Sequence, residues 1–464
     1  VKPFQHQVLG FNIGVQIPHH ALLIEMGTGK TLTEVAILGR RYLDGLVQRV
    51  LIVAPSSVVP VWPREFASFA AFPTDVRALE GPVAKRKRTL AEWDTGRVRD
   101  GAGREMGELP DDLPLQIAVT NYEATWRMRD ELAAWLQAVP GSAVVCDESQ
   151  RIKTPSAAQS KCLHYLGNAA TYRAILTGTP VTQAPMDFFS QYKFLDPAIF
   201  GHVFSTFRAR HAIMGGFEGR EVVGYRQLDD LQRKAHSVAF RVTKEECLDL
   251  PEQLDARRLV TLEDDAKKLY DRIAKEMVAE VGAGGPEITT QNVLTKLLRL
   301  QQITGGFVRD DEGQDHPVST AKLRALEETL DETQGKVVVF ARFRKEIEAI
   351  RDLLEQRGAR PSLIWGDTPM DERGEQVRRF QEDDEVRAFV AQIQTAGLGI
   401  TLTAASTAIF YSLDFSFANY DQARSRVHRI GQTGSVTNVH LLARGTVDEA
   451  VMRALKRKRN VADA

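Results

Sequence analysis

The chain has 464 residues, more than one hydrophobic core usually serves, so two or three domains are expected. With 43% hydrophobic and 26% charged residues the composition is that of a globular chain and excludes a disordered or fibrous one. Sixty Lys and Arg stand against 61 Asp and Glu, a formal net charge of −1, which excludes any chain-wide attraction to nucleic acid or membrane and requires a polyanion site to be a local patch.

From the N-terminus, residues 21 to 180 alternate short β-rich runs (ALLIE, RVLIVAP, LQIAVTNY, SAVVCDE, YRAILTGTP) with helical patterns such as KTLTEVAILGRRYL and RDELAAWLQAV. This alternation predicts a parallel sheet covered by helices. Residues 94 to 114 read as a surface loop. From 185 to 330 the texture changes: FFSQYKFL, LDDLQRKAHSVAF, DDAKKLYDRIAKEMVAEV and NVLTKLLRLQQITGGF read as helices, interrupted by the glycine-rich hairpin signal IMGGFEGREVVGY and by GAGGPE. After residue 335 a second α/β series follows: KVVVFA, PSLIWG, VRAFVAQI, TAIFYS and VTNVHLL, interleaved with RKEIEAIRDLLEQRG, RGEQVRRFQ and NYDQARSRVHRIG. Two similar sheets in one chain suggest two lobes with a cleft between them.

Cys146, Cys162 and Cys247 form no CxxC pair; they read as core thiols of a reducing compartment, cytoplasmic or nuclear. No apolar run reaches the roughly 18 residues of a membrane span, and no basic segment precedes an apolar one at the N-terminus. The chain begins with Val, which leaves room for a leader or an upstream domain.

LLIEMGTGKTLTEVAIL supplies strand, turn and helix in that order, with Gly27, Gly29, Lys30 and Thr31 at the turn. Glycines let backbone N–H groups wrap phosphates, a lysine neutralises the β and γ oxygens, a threonine hydroxyl suits magnesium, and the helix N-terminus adds its dipole. A bare GKT tripeptide is common by chance; its placement between strand and helix is what points to a nucleotide. Ile24 replaces the first glycine of the strict pattern. At VVCDESQ, Asp147 and Glu148 stand at the carboxyl end of a strand, where ligands of such sheets gather. One carboxylate there suits magnesium through water, and the other suits orienting and deprotonating the water that attacks a γ-phosphate. Without the phosphate loop, two such acids read as a helix N-cap region.

The order of KPFQHQVLG, EMGTGKT, VAPSSVVPVWPREF, VTNYE, DESQRIKTPSAAQSK, ILTGTP, VVVFARF, QTAGLGITLTAAS and QARSRVHRIGQ resembles the Swi/Snf-type (Snf-two) ATP-dependent DNA translocases of helicase superfamily two over almost the whole chain. The resemblance implies an α/β fold of two RecA-like parallel-sheet lobes in tandem, each with a helical protrusion: residues 1–250 with a protrusion at about 185–245, and 251–464 with one at about 262–310. It implies ATP and magnesium as cofactors, with Gln5 at the adenine edge, Glu25, Met26, Gly27, Thr28, Gly29, Lys30, Thr31 and Gln422 around the nucleotide, and Thr31 and Asp147 at the metal. Glu148, Lys30, Arg426 and Arg429 then carry the hydrolysis, the two arginines as fingers on the γ-phosphate. Thr177, Gly178 and Thr179 couple ATP state to lobe movement.

The partner implied is double-stranded DNA, held through its phosphates by Pro55, Ser56, Trp62, Thr120, Tyr122, Arg342, Thr395 and Gly397, with no membrane and a monomeric motor. The clusters Lys85–Arg88 and Lys456–Arg459 read as solvated helix faces. A strand-separating helicase and an ATP-gated clamp are the competing readings. Three departures from the family pattern stand out: Thr401 where Asn is usual, Arg424 and Ser425 where a small residue and Asp are usual, and Gln150 where His is usual. Gln150 is expected to link the acid pair to Thr177–Thr179 without a titratable step.

Overall fold

A computed structural model describes residues 2–93, 113–181, 184–216, 221–247, 250–282, 290–310, 312–398 and 400–463. Most of the loop expected at 94–114, most of GAGGPE and the tip of the glycine-rich hairpin lie outside them. The chain divides into two units, Val1–Leu248 with Val461–Ala464, and Asp249–Asn460.

The first unit contains β1 (His19–Ile24), β2 (Arg49–Ala54), β3 (Thr74–Ala78), β4 (Leu115–Asn121), β5 (Ser142–Asp147), β6 (Tyr172–Leu176), β7 (Ala212–Gly215), β8 (Glu221–Tyr225) and β9 (Ala239–Val242). Seven of these form one parallel sheet in the order β3-β4-β2-β5-β6-β1-β9, while β7 and β8 pair as a separate antiparallel hairpin. The central strands are apolar runs because both faces are covered. Along β2, Leu51 and Val53 enter one core and Val50, Ile52 and Ala54 the other, the two-residue period of a strand sorting neighbours to opposite sides. Among the covering helices are α1 (Gln5–Gln16), α2 (Lys30–Leu43), α3 (Val61–Phe69) and α4 (Val83–Ala91).

The second unit contains β10 (Gln253–Val260), β11 (Phe307–Arg309), β12 (Asp315–Pro317), β13 (Lys336–Ala341), β14 (Ser362–Ile364), β15 (Ala388–Gln392), β16 (Ala405–Phe410) and β17 (Val436–Ala443). Its sheet is again parallel, in the order β10-β17-β16-β13-β15-β14, with β11 and β12 as a small antiparallel pair. The tandem parallel-sheet architecture is therefore as expected. Helices Phe188–Leu195, Phe204–His211 and Leu228–His236 elaborate the first unit, and Asp264–Gly282 and Thr290–Gly305 the second.

Several segments differ from the expectation: Thr74–Ala78 was not read as a strand, and two others are instructive. AHSVAF was read as the end of a helix, but the helix stops at His236 and Ala239–Val242 extends as β9 beside β1. Val238, Phe240 and Val242 alternate with less apolar residues, so a two-residue period overrides the helical one there. Gln253–Val260 was not read as a strand because its charges (Asp255, Arg257, Arg258) hide the alternation; it is an edge strand that needs only one neighbour, β17.

Candidate nucleotide site and flanking strand ends

Because β5, β6 and β1 are adjacent in the sheet, the acid pair, the TGT segment and the phosphate-loop turn all leave neighbouring strand ends. At the turn, Gly27 and Gly29 have φ of 84° and 94°, in the left-handed region where glycine carries no side-chain penalty. Thr28 is fully buried and its hydroxyl donates to the Glu25 carbonyl at 2.6 Å; Lys30 Nζ donates to the Ile24 carbonyl at 3.0 Å. Thr31, half-buried, begins the first turn of α2. Glu25 is engaged from within the unit: its carboxylate accepts from the Lys244 backbone N–H at 2.8 Å and lies 3.6 Å from the Lys244 ammonium.

The turn has a support that sequence reasoning missed. His6 Nε2 and Gln7 Nε2, both buried on α1, reach the Thr28 carbonyl at 2.8 and 3.2 Å, and Gln7 Oε1 accepts from the Phe4 backbone N–H at 2.9 Å. A Cβ at position 29 would meet Gln7 Nε2 at 2.0 Å and would have to displace that amide from the Thr28 carbonyl. Gln5, expected at the adenine edge, is exposed on the same helix. The available signal was the second glutamine of KPFQHQ, two residues on and therefore on the opposite helix face.

Asp147 is buried at the end of β5. Its Oδ2 accepts from Trp62 Nε1 at 3.1 Å and its backbone carbonyl from Tyr122 Oη at 2.7 Å. Burial, together with the negative charge of Glu148, pushes the Asp147 carboxyl up to about 7, while Lys30 and the indole hydrogen bond pull it back. Glu148 follows with φ 53° and ψ 53°, a left-handed backbone that glutamate seldom adopts. Gln150 Nε2 donates to Glu148 Oε2 at 2.8 Å, Gln150 Oε1 accepts from Thr177 Oγ1 at 2.8 Å, and Thr177 Oγ1 accepts from the Thr179 backbone N–H at 3.0 Å. Gly178 lies against the phosphate-loop backbone: a Cβ there would stand 3.1 Å from Met26 N and 3.3 Å from Ile24 O.

The expected DNA contacts divide. Trp62 and Tyr122 are 1% and 0% exposed, and the indole N–H and the phenol O–H are both engaged by Asp147. Thr120 is likewise buried, accepting from Arg86 Nη1 at 3.2 Å, and Pro55 is buried, whereas Ser56 is exposed at the end of β2. In the second unit Arg342, half-buried at the end of β13, donates to Gln301; Thr395 donates to the Gln392 carbonyl at 2.6 Å and shares a 3-10 turn with Gly397.

Gln422 and Arg426 are buried on the helix Phe417–Val427, and Arg429, half-buried just beyond it, donates to the Ile400 carbonyl at 3.3 Å. Thr401 is half-buried beside it in sequence. Of the basic clusters, Arg86 also holds the Asn121 side chain at 2.7 Å, Lys87 pairs with Glu131, and Lys458 donates to the Phe415 carbonyl at 2.8 Å. Cys146, Cys162 and Cys247 are free thiols, the first two buried.

The SNF2-related domain family matches residues 4–305 and the helicase conserved C-terminal domain residues 321–431. The chain belongs to the SNF2-related family. It is 25% identical over 443 residues to an uncharacterized ATP-dependent helicase of Mycoplasma genitalium, covering 94% of this chain and 39% of that protein. It is 27% identical over 446 residues to the DNA annealing helicase and endonuclease ZRANB3 of Mus musculus, covering 94% of this chain and 38% of that one. The chain thus spans about two fifths of the length of these curated relatives. The SWI2/SNF2 ATPase core of Sulfolobus solfataricus in complex with dsDNA aligns with a TM-score of 0.44 at 24% identity, covering 99% of this chain and 92% of that one.

Proposed function

We propose that the chain is a DNA-dependent ATPase that uses hydrolysis to track along double-stranded DNA. The observation that carries this reading is the meeting of three adjacent strand ends: a phosphate-loop turn, an acid pair, and a TGT segment hydrogen-bonded to the acids through Gln150. Family membership supports the use of ATP.

The left-handed glycines and the N-terminus of α2 direct backbone N–H groups at the triphosphate, and Lys30 exchanges its carbonyl partner for phosphate oxygens. Asp147 and Thr31 fit magnesium: both are hard oxygen donors, and among the described residues no group of three His, Cys, Asp or Glu side chains stands ready to cage a metal, which suits an ion that keeps water and phosphate ligands. When bound, magnesium neutralises charge on the β and γ oxygens. Glu148 receives the proton of the attacking water. Arg426 and Arg429 stabilise charge on the γ-phosphate.

Supporting a link to DNA, α3, which follows exposed Ser56, and the end of β4, beside the Arg86–Asn121 contact, are tied to Asp147 through Trp62 and Tyr122. ATP hydrolysis measured with blunt duplex, single-stranded and forked DNA and with RNA is expected to rise most with duplex. Glu148→Gln is expected to lower it by roughly a hundredfold or more. Equal rates with and without DNA would overturn the reading, and unwinding of a forked duplex would replace it with that of a strand-separating helicase.

A further inference from the structure

Arg424 stands where the family pattern has a small residue, and the structure gives it a task. It is 6% exposed on the Phe417–Val427 helix. Its Nη1 donates to Asp255 Oδ2 at 3.1 Å and to Tyr420 Oη at 2.9 Å, and its Nη2 donates to Gln253 Oε1 at 3.0 Å. Asp255 and Gln253 lie on β10, so one guanidinium joins this helix to the first strand of the second unit.

The bonds continue with a single polarity. His440 Nδ1 donates to the Ala256 carbonyl at 3.1 Å, which leaves Nε2 to accept from Tyr420 Oη at 2.9 Å, and Tyr420 Oη in turn accepts from Arg424. Asn438 on β17 holds the other oxygen of Asp255 at 3.1 Å. One turn further along, His428 Nε2 donates to the Pro251 carbonyl at 2.8 Å, and Pro251 follows closely in sequence on the junction of the two units at Leu248 and Asp249.

Tyr420 and Arg424, four residues apart, share one side of the helix, and His428 caps its C-terminal end. Gln422 and Arg426 lie two residues away, about 200° round the axis, on the opposite side. A grip on the first side therefore sets the angle at which the second is presented.

We propose that Arg424 is a positioning residue: its forked hold on β10 and Tyr420 fixes the rotation of the helix, and with it the direction in which Arg426 and the following Arg429 offer their guanidinium groups. The inference rests on the reading of those two arginines as phosphate contacts. A lysine keeps the charge but cannot span three acceptors in a plane, so Arg424→Lys is the informative change.

In the full chain with blunt duplex DNA, Arg424→Lys is expected to lower kcat for ATP hydrolysis about tenfold while KM for ATP stays within about twofold, because the arginines act on the transition state more than on the bound substrate. In an Arg426→Ala background the same change is expected to cost less than about twofold, since the principal group to be aimed has gone. Independent losses that multiply, or a KM that rises with kcat unchanged, would overturn the proposal.

A second measurement needs no turnover. Amide exchange across residues 417–429 is expected to quicken in Arg424→Lys and in the milder Tyr420→Phe, while β13 and β15 stay protected. Unchanged exchange in both variants would also overturn it. A wild-type chain indifferent to duplex DNA removes the functional reading instead, and the exchange result still decides whether Arg424 holds the helix.

Discussion

A glutamine amide is donor and acceptor at once, and at position 150 both halves are used, the nitrogen on Glu148 and the oxygen on Thr177. A neutral amide does this without changing charge between pH 5 and 8, which a histidine in the same place does not. Gln150→Ala removes both bonds, each worth about 1 kcal/mol net. It is expected to leave ATP hydrolysis measurable but to lower the triplex-strand displacement obtained per phosphate released. Displacement and hydrolysis falling in equal proportion would show that Gln150 plays no part in coupling. At this scale the sequence was most legible where chemistry restricts the residue type: the GTGKT turn, the DE pair and the glutamine after it. It was least legible where a residue's role depends on which way its side chain faces. Trp62 and Tyr122 sit in segments of the expected kind, yet their indole and phenol turn inward to Asp147, and no spacing pattern reports that.

Elements were legible in proportion to how fully they are buried. Apolar runs such as Val50–Val53 and Val337–Phe340 identify central strands directly, whereas β9, four residues long beside a helical pattern, and β10, interrupted by charges, are edge strands that do not separate from helix or loop. The tie between β10, β17 and the Phe417–Val427 helix has a titratable member. Burial lowers His440 from 6.5 to about 4, its hydrogen bond to the Ala256 carbonyl opposing the shift. The folded chain therefore keeps His440 neutral where the unfolded chain takes up a proton, so the stability associated with it is present above pH 6.5 and is lost as pH falls towards 4. The thermal stability of the wild type is expected to fall over that window, this group contributing to the loss. His440→Gln, read in the same buffers, is expected to flatten that part of the profile, and an unchanged profile would assign the acid sensitivity to other groups.

For the molecule as a whole, a net charge of −1 means that the proposed attraction to DNA would have to come from the arrangement of charge and not its total. Phosphate contacts release counterions, so apparent affinity for duplex is expected to fall at least about tenfold between roughly 50 and 200 mM salt, with KM for ATP moving far less. Affinity indifferent to salt would mean that phosphates are not what is held. Folded chains of this kind are stable by only about 5–15 kcal/mol, and a non-glycine residue in the left-handed region costs on the order of 1 kcal/mol or more. Glu148, with φ 53°, is such a residue. A glycine here would carry no such cost, so the carboxylate sits against the grain of its own backbone. On the proposed reading of Glu148, that cost is what the chain gives up in durability to keep an acid beside Asp147, and a stabilised version that drops it is expected to lose hydrolysis.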